Sequence, residues 1–367
     1  MPDRALAFFI QDLREGGAER SVARLLNGIV ARNVPTDLLV VKKRGTFLGE
    51  LDPRVNLIEL PQRRTITSVL GVKRYIEERR PAALISSMTH TNVAAILANL
   101  LARPRTRLVV VEHNQFSSNR VLKRGLVSVA YGLVRWLYPR ADLVAAVSQG
   151  VRDDLARVTD LPAGSITVLH NPVVTNGLEA AAATEVDHPW LNQPGPPVVL
   201  GVGRFTRQKN FSLLIEAFAE VRRQKPARLI ILGEGELRGD LEAKVRALGI
   251  ADDVDLPGFD ANPFRYMRRA AVYVLSSDWE GLPTALIEAM ACGTPVVSTD
   301  CESGPREILG EGQLDRVVPR GDVHALANAI LATLEVPGDR TARIARAQDF
   351  SLDRAVDGYL AAAGWPA

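Results

Sequence analysis

Glu280 and Glu288 are two carboxylates with seven residues between them, in the stretch DWEGLPTALIEAMACGTPVVST from Asp278 to Thr299. Pro283 sits where a helix should open, because its fixed φ suits a first turn that needs no N–H from it. Gly293 falls where a left-handed cap would close that helix. The free N–H groups of the first turn, those of Thr284 and Ala285, and the positive end of the helix dipole favour an anion, most often a phosphate. Glu280 would stand beside that anion. Glu288 lies less than one and a half turns into the helix at ~3.6 residues per turn, and would reach back toward a ligand hydroxyl. Glu288 interrupts an otherwise apolar run from Ala285 to Cys292, which argues against a solvated helix face.

A second constellation precedes it. Gly203-Arg204-Phe205-Thr206-Arg207-Gln208-Lys209-Asn210 follows the apolar run Val198 to Val202. Arg204 offers a planar fork and Lys209 a point charge, a pairing suited to phosphate oxygens; Arg207 reads as a solvated neighbour. Two weaker signals lie in the first half. Gly16 and Gly17 sit between a strand and a helix, where paired glycines permit close approach of a phosphate, although any tight turn would use them. His113 ends the apolar run Leu108 to Val111, either as a loop histidine satisfied by its neighbours or as a functional group. Asp253-Val254-Asp255 has the spacing of a metal-binding D-x-D, but alternate carboxylates on a surface strand are usually solvated, and no metal is expected there. His90 and His170 read as structural.

The elements that must position these residues alternate between strand and helix throughout. In the first half, strands are expected at Ala5–Ile10, Leu38–Val41, Val55–Leu60, Leu84–Ser87, Leu108–Val111 and Asp142–Val147, with helices after the first strand, at Ser68–Arg80, ending at Leu101, and over Arg120–Arg140. Val22, Leu25, Leu26 and Ile29 form an apolar stripe at helical spacing. The stretch from Thr175 to Pro197 has an alanine run and Gln-Pro-Gly-Pro-Pro, with little periodicity, and reads as a boundary. Beyond it the alternation restarts with strands at Val198–Val202, Leu229–Leu232, Val254–Leu256 and Ala271–Leu275, and another beginning at Val296. Two such series predict an α/β protein of two doubly wound domains facing across a cleft.

The E-x7-E pattern followed by A-x-A-C-G-x-P-V-V resembles the retaining glycosyltransferases of family 4, which have the GT-B fold, and the resemblance extends over almost the whole chain. It implies Rossmann-like domains over 1–177, on the acceptor side, and 178–352, on the nucleotide-sugar side, with a final segment 353–367 crossing back to the first domain. Gly16 and Gly17 match the family's G-G-A-E-R loop, which touches the donor diphosphate. Arg204 and Lys209 match its G-R-x4-K-N element, which grips the same diphosphate. His113 matches the histidine that contacts the donor sugar near its reacting carbon. Phe259 and Asp260 fall in the segment that contacts the base, Glu288 would hold ribose hydroxyls and Glu280 a hydroxyl of the sugar. The run Asp300-Cys301-Glu302-Ser303-Gly304-Pro305 resembles members acting on lipid-linked or surface glycans. The resemblance implies no cofactor and no metal, because protein groups neutralise the leaving diphosphate.

Composition agrees with a globular chain of two domains: 367 residues, 47% apolar and 24% charged. Two cysteines exclude a disulfide framework and suit a reducing cytoplasm. The net charge of +3 hides 25 Lys/Arg against 15 Asp/Glu in residues 1–175, and 20 against 27 in the rest. A basic first half suits a phosphate-bearing or anionic partner. The expected partners are a UDP- or GDP-sugar and a glycan or lipid-linked glycan acceptor, with peripheral contact to an anionic membrane and no nucleic acid. The basic, apolar stretch from Arg120 to Arg140 could serve that contact, though such a helix more often packs on its sheet. An epimerase of similar architecture and a non-catalytic sugar-nucleotide binder remain open as alternatives. The route could be same-face, with the leaving phosphate taking the acceptor's proton, or a double displacement through Glu280.

Overall fold

The computed structural model describes residues 4–14, 16–61, 65–117, 126–310 and 314–366, and the side chains of all of these except 66 and 126–131. The chain forms two compact units, one of Met1–Pro172 with Leu352–Ala367 and the other of Val173–Ser351.

The first unit is built on seven parallel strands: β1 Leu6–Ile10, β2 Thr36–Val40, β3 Asn56–Glu59, β4 Ala83–Ser87, β5 Arg107–Glu112, β6 Leu143–Ala146 and β7 Ile166–Val168. Their order is β3-β2-β1-β4-β5-β6-β7, so the winding reverses between β1 and β4. The strands read as continuous apolar runs because helices cover both faces; Leu6, Ala7 and Val109 to Val111 are fully buried. The helix Gly17–Ala31 buries Val22, Leu25, Leu26 and Ile29, the stripe that its sequence spacing predicts.

The second unit repeats the scheme with β8 Val198–Val202, β9 Arg228–Leu232, β10 Val254–Gly258, β11 Val272–Leu275, β12 Val296–Thr299 and β13 Arg316–Val318. The order β10-β9-β8-β11-β12-β13 places its reversal between β8 and β11. In open parallel sheets the carboxyl ends of the strands at such a reversal form the usual ligand crevice. Arg204 and Lys209 follow β8, and Glu280 follows β11. The two strongest sequence constellations therefore flank the reversal point of one sheet.

The last helix, Leu352–Ala363, belongs to the first unit. Val356 and Tyr359 are buried. Arg32 pairs with Asp353 and Asp357, and the Nε of Arg107 donates to the carbonyl of Ala362 at 2.9 Å. A Cβ on Gly28 would lie 2.8 Å from Val356 Cγ2, so this glycine lets the two helices approach closely.

Between the units the structure adds order that composition hides. The division falls at Pro172, and the chain from Val173 already pairs with the end of the second unit, Val173 N to Phe350 O at 3.0 Å. The alanine run is a short helix, Leu178–Ala183. Its Ala181 carbonyl accepts from Asn262 Nδ2 at 2.9 Å. The helix expected over Arg120–Arg140 is described from Leu126 to Leu137, while Arg120, Lys123 and Arg124 lie outside the described residues.

Candidate functional site

In the second unit, the loop after β8 and the turn after β11 are bonded into one cluster. Lys209 Nζ lies 2.5 Å from Glu280 Oε1. Ser277 Oγ donates to the same oxygen at 2.7 Å, and Gln208 Nε2 reaches Oε2 at 3.4 Å. The backbones are joined as well: Asp278 N donates to Gln208 O at 2.9 Å, Gln208 Nε2 to Trp279 O at 2.9 Å and Ser276 Oγ to Lys209 O at 2.9 Å. Asn210 adopts φ +45, a left-handed conformation that asparagine tolerates better than most residues. That turn lets its side chain do two jobs, capping the helix Phe211–Gln224 through Leu213 N at 3.3 Å and donating to Asp278 Oδ1 at 2.9 Å. Glu280 is 6% exposed, so removing either partner would leave a buried charge poorly matched.

Glycines make this packing feasible. Gly203 has φ +158 and lies under the aliphatic stem of Lys209, at 3.2–3.3 Å from an imagined Cβ. Gly233 crosses the β8 loop so closely that a Cβ would sit 1.8 Å from Gly203 O. The Arg204 side chain is exposed and makes no hydrogen bond or ion pair among the described residues. Its five N–H donors are therefore available to a ligand.

Past Glu280, Pro283 precedes the helix Thr284–Ala291 with φ −71 and ψ 90, and its carbonyl accepts the first helical bond, from Leu286 N at 3.1 Å. This places Pro283 at the cap itself and leaves the N–H groups of Thr284 and Ala285 in the uncommitted first turn. Glu288 is 4% exposed inside this helix, as its apolar surroundings in sequence suggest. The turn is braced from the other side by Ser303 Oγ, which donates to Gly281 O at 2.8 Å, and by Gly304, whose Cβ would meet Pro283 Cδ at 2.3 Å.

Phe259 and Asp260 follow β10 at the sheet edge. The Phe259 ring is 66% exposed. Asp260 is held by Arg265 Nη2 at 2.6 Å and caps Asn262 N at 2.8 Å. The D-x-D carboxylates are engaged elsewhere, Asp253 with Arg222 Nε at 2.6 Å and Asp255 with His188 Nε2 at 3.0 Å.

In the first unit, Gly16 adopts extended backbone ahead of the helix Gly17–Ala31, and the Glu19 carboxyl folds back so that a Cβ on Gly16 would lie 2.1 Å from its Oε2. His113 follows β5 and is 5% exposed, with neither ring nitrogen bonded among the described residues. Burial pushes its imidazole down to about 4, so it is neutral at pH 7 and keeps one donor and one acceptor. Its neighbour Glu112 is pushed up to about 7 by burial, against hydrogen bonds from Tyr138, Thr89 and Asn92. Four residues beyond His113, Ser117 is anchored to the buried Asp154 through N at 3.0 Å and Oγ at 2.5 Å. The segment carrying His113 is thus fixed at both ends by buried carboxylates.

Sequence reasoning did not single out Ser277, Gln208, Asn210, Asp278 or Ser303. Gln208 and Asn210 stand inside the Gly203–Asn210 run and were within reach of it. Ser277 and Ser303 act through tertiary contacts that no spacing announces.

Two doubly wound parallel-sheet units, the second with Lys209 and Glu280 bonded at its sheet reversal, define a two-domain α/β protein of the kind in which ligands sit at strand carboxyl ends. Residues 15–176 match Glycosyltransferase Family 4, and residues 184–350 match Glycosyl transferases group 1. The chain belongs to the family 4-like glycosyltransferases of GT-B fold. It is 28% identical over 338 residues to the N-acetylgalactosamine-N,N'-diacetylbacillosaminyl-diphospho-undecaprenol 4-alpha-N-acetylgalactosaminyltransferase of Campylobacter jejuni, covering 90% of each chain. It is 26% identical over 309 residues to the amylovoran biosynthesis glycosyltransferase AmsD of Erwinia amylovora, covering 83% of each. The fold also matches HepE of Anabaena, solved in complex with UDP and glucose, with a TM-score of 0.81 at 20% identity over 98% of both chains.

Proposed function

We infer that the protein transfers a glycosyl group from a UDP- or GDP-sugar to a hydroxyl of a lipid-linked or surface-polysaccharide glycan, with retention of anomeric configuration and without a metal ion. The observation that carries this reading is the Lys209–Glu280 cluster at the β8/β11 reversal, with Arg204 exposed beside it and the helix Thr284–Ala291 opening next to it. The acceptor class is supported by the relatives' names, one on a diphospho-undecaprenol glycan and one in amylovoran biosynthesis.

In this reading the bond between the anomeric carbon and the diphosphate oxygen breaks, leaving negative charge on the nucleoside diphosphate. Arg204, Lys209 and the N–H groups of Thr284 and Ala285 stabilise that charge. Lys209 need not release Glu280 to do so: its ammonium carries three donors, and only one is turned to the carboxylate. Glu280, held by Lys209, Ser277 and Gln208, accepts from a sugar hydroxyl. Glu288 accepts from the ribose, and Phe259 and Asp260 face the base. His113 is neutral and offers a hydrogen bond to the sugar without opposing positive charge at the anomeric carbon. The acceptor oxygen forms the new bond on the face the diphosphate leaves, and its proton passes to the departing phosphate.

The test is release of free nucleoside diphosphate from the donor only when an acceptor glycan is present, with EDTA throughout. Release that depends on acceptor and survives EDTA supports the reading. Interconversion of the sugar without release would instead fit an epimerase, and donor binding without either would fit a non-catalytic binder.

A further inference from the structure

The N-terminal unit buries a carboxylate for which the proposed reaction gives no role. Asp12 follows β1, its side chain is 4% exposed, and one of its oxygens, Oδ2, is shared by two arginines. Arg14 Nε donates to it at 3.0 Å, and Arg44 donates through Nε at 3.1 Å, with its Nη2 also 3.1 Å from the same oxygen. The guanidiniums themselves remain well exposed, with side-chain accessibilities of 57% and 46%. A carboxylate removed from water is expensive to keep ionised unless it is paired. Here it anchors two cations side by side at the sheet's carboxyl edge, near the β1/β4 reversal where such sheets take ligands.

The backbone that carries the arginines is fixed as well. Val41 N and Lys42 N both donate to Gln11 O, at 3.0 and 3.1 Å, Leu13 N donates to Arg44 O at 3.1 Å and Phe47 N to Leu13 O at 3.3 Å. Gly45 has φ +127, and a Cβ there would lie 2.0 Å from the Leu13 carbonyl. The loops after β1 and β2 are thereby joined, and neither arginine rides on a free tip. Each guanidinium carries five donors and spends one or two on Asp12, leaving several directed outward. Two guanidiniums on one carboxylate leave net positive charge, and Lys42 and Lys43 adjoin them in sequence. The nearest helix N-terminus, at Gly16, already has the Glu19 carboxyl folded over it. An anion at this edge would therefore be held by the guanidiniums. Forked pairs of this kind suit a tetrahedral oxyanion with several acceptors.

We propose that Arg14 and Arg44, oriented by the buried carboxylate of Asp12, form a phosphate-binding site in the N-terminal unit that holds the phosphate or diphosphate of the acceptor. The assignment to the acceptor rests on the transferase reading above, whereas the anion site does not.

The experiment titrates inorganic pyrophosphate into the full-length protein by calorimetry, in an Arg204→Gln/Lys209→Ala background that weakens the phosphate contacts of the second unit. Pyrophosphate should still bind there, and adding Arg14→Gln and Arg44→Gln should weaken it at least tenfold. Asp12→Asn gives the sharpest contrast. It adds one positive charge overall, so a diffuse basic patch would bind pyrophosphate more tightly, whereas an oriented pair loses its anchor and binds several-fold more weakly. Tighter binding in Asp12→Asn overturns the proposal, as does pyrophosphate binding that is absent from the background variant or indifferent to both arginines. Melting curves on each variant confirm that it is folded, and Arg14→Lys with Arg44→Lys keeps the charge should the glutamine pair prove unstable; it too should bind more weakly, because the fork is gone. A second arm identifies the source of the anion. With Lys209 and Arg204 intact, the Arg14→Gln/Arg44→Gln variant should bind a nucleoside diphosphate as wild type does, and loss of that binding would assign the site to the donor and overturn the acceptor assignment. If no nucleotide binds wild type while pyrophosphate still follows the arginines, the transferase reading fails and the anion site stands.

Discussion

At the scale of single residues, the proposed reaction in the second unit rests on a carboxylate and an ammonium, Glu280 and Lys209, that satisfy each other in the fold. Lys209→Ala removes the partner of a buried carboxylate and, in the proposed reaction, a diphosphate contact. Loss of one preorganised donor of this kind costs on the order of 10²–10³ in turnover, and acceptor-dependent release of nucleoside diphosphate should fall by about that factor; near-normal turnover would remove Lys209 from the mechanism. Ser277→Ala is a finer probe. It deletes a 2.7 Å hydrogen bond to Glu280 while leaving Lys209 and the helix start in place. Turnover should drop about tenfold or more, in line with the ~1.5–3 kcal/mol that a hydrogen bond to a charged group carries, with nucleoside diphosphate affinity unchanged. An equal loss of affinity would show that Ser277 shapes the phosphate pocket instead.

Glu112 yields a residue-scale prediction in pH. Its carboxyl titrates near 7 in the fold against an ordinary 4.5, because burial disfavours the charge. Between those values the folded state holds more protons than the unfolded chain, so this residue's contribution to stability declines as pH rises from about 4.5 to about 7 and is flat above. Glu112→Gln keeps the shape without the titration. The melting temperature of the variant relative to wild type should therefore rise across that window, and a difference that is constant from pH 4.5 to 8 would contradict the assignment.

At the scale of elements, the site depends on where turns meet strand ends. Gly304 has φ +97 and faces Pro283 with no room for a methyl group. Gly304→Ala adds a clash to a conformation that by itself costs on the order of 1 kcal/mol or more, and it pushes on the turn that opens the helix Thr284–Ala291. Both the melting temperature and nucleotide affinity should fall; a loss of stability with nucleotide affinity intact would show that the brace does not reach the site. Elements of this kind also mark the limit of what the sequence discloses. Strands such as β5 and β8 announce themselves as long apolar runs, and the Pro283-to-Gly293 helix by its punctuation. The three-residue edge strands β7 and β13 are too short for any pattern to show. The run after Pro172 looks like a linker, because alanine and proline conceal the pairing of Val173 with Phe350. The Arg204–Lys209 and Glu280–Glu288 pairs were legible from their types and spacing. The bonding of Lys209 to Glu280 was not, because it is a tertiary contact, braced by Ser277, Gln208 and Asn210, over a separation of about seventy residues.

At the scale of the whole chain, the same doubly wound scheme is used twice, with the candidate site residues following strand carboxyl ends in each unit. The final helix completes the first unit even though it follows the second in sequence. Deleting residues from Leu352 onward would uncover the apolar faces that meet Val356 and Tyr359 and leave Arg32 without its two carboxylates. By calorimetry the transition of the first unit should drop by at least about 2–4 °C, the shift that ~1 kcal/mol produces in a unit of this length, while that of the second unit stays in place. An unchanged first transition would mean the helix is dispensable to that unit. No helix among the described residues is long and apolar enough to cross a membrane.

The measurement that bears most directly on the central claim is a thermal-shift panel of nucleoside diphosphates and their sugars, in EDTA, on wild type and Lys209→Ala. A ligand at a hundredfold over its dissociation constant stabilises the folded state by about 2.7 kcal/mol. The account predicts a shift with a UDP or GDP compound that survives EDTA and shrinks sharply in Lys209→Ala. A panel with no shift in wild type, or one that shifts both proteins equally, would contradict the assignment of the Lys209–Glu280 cluster as the donor site.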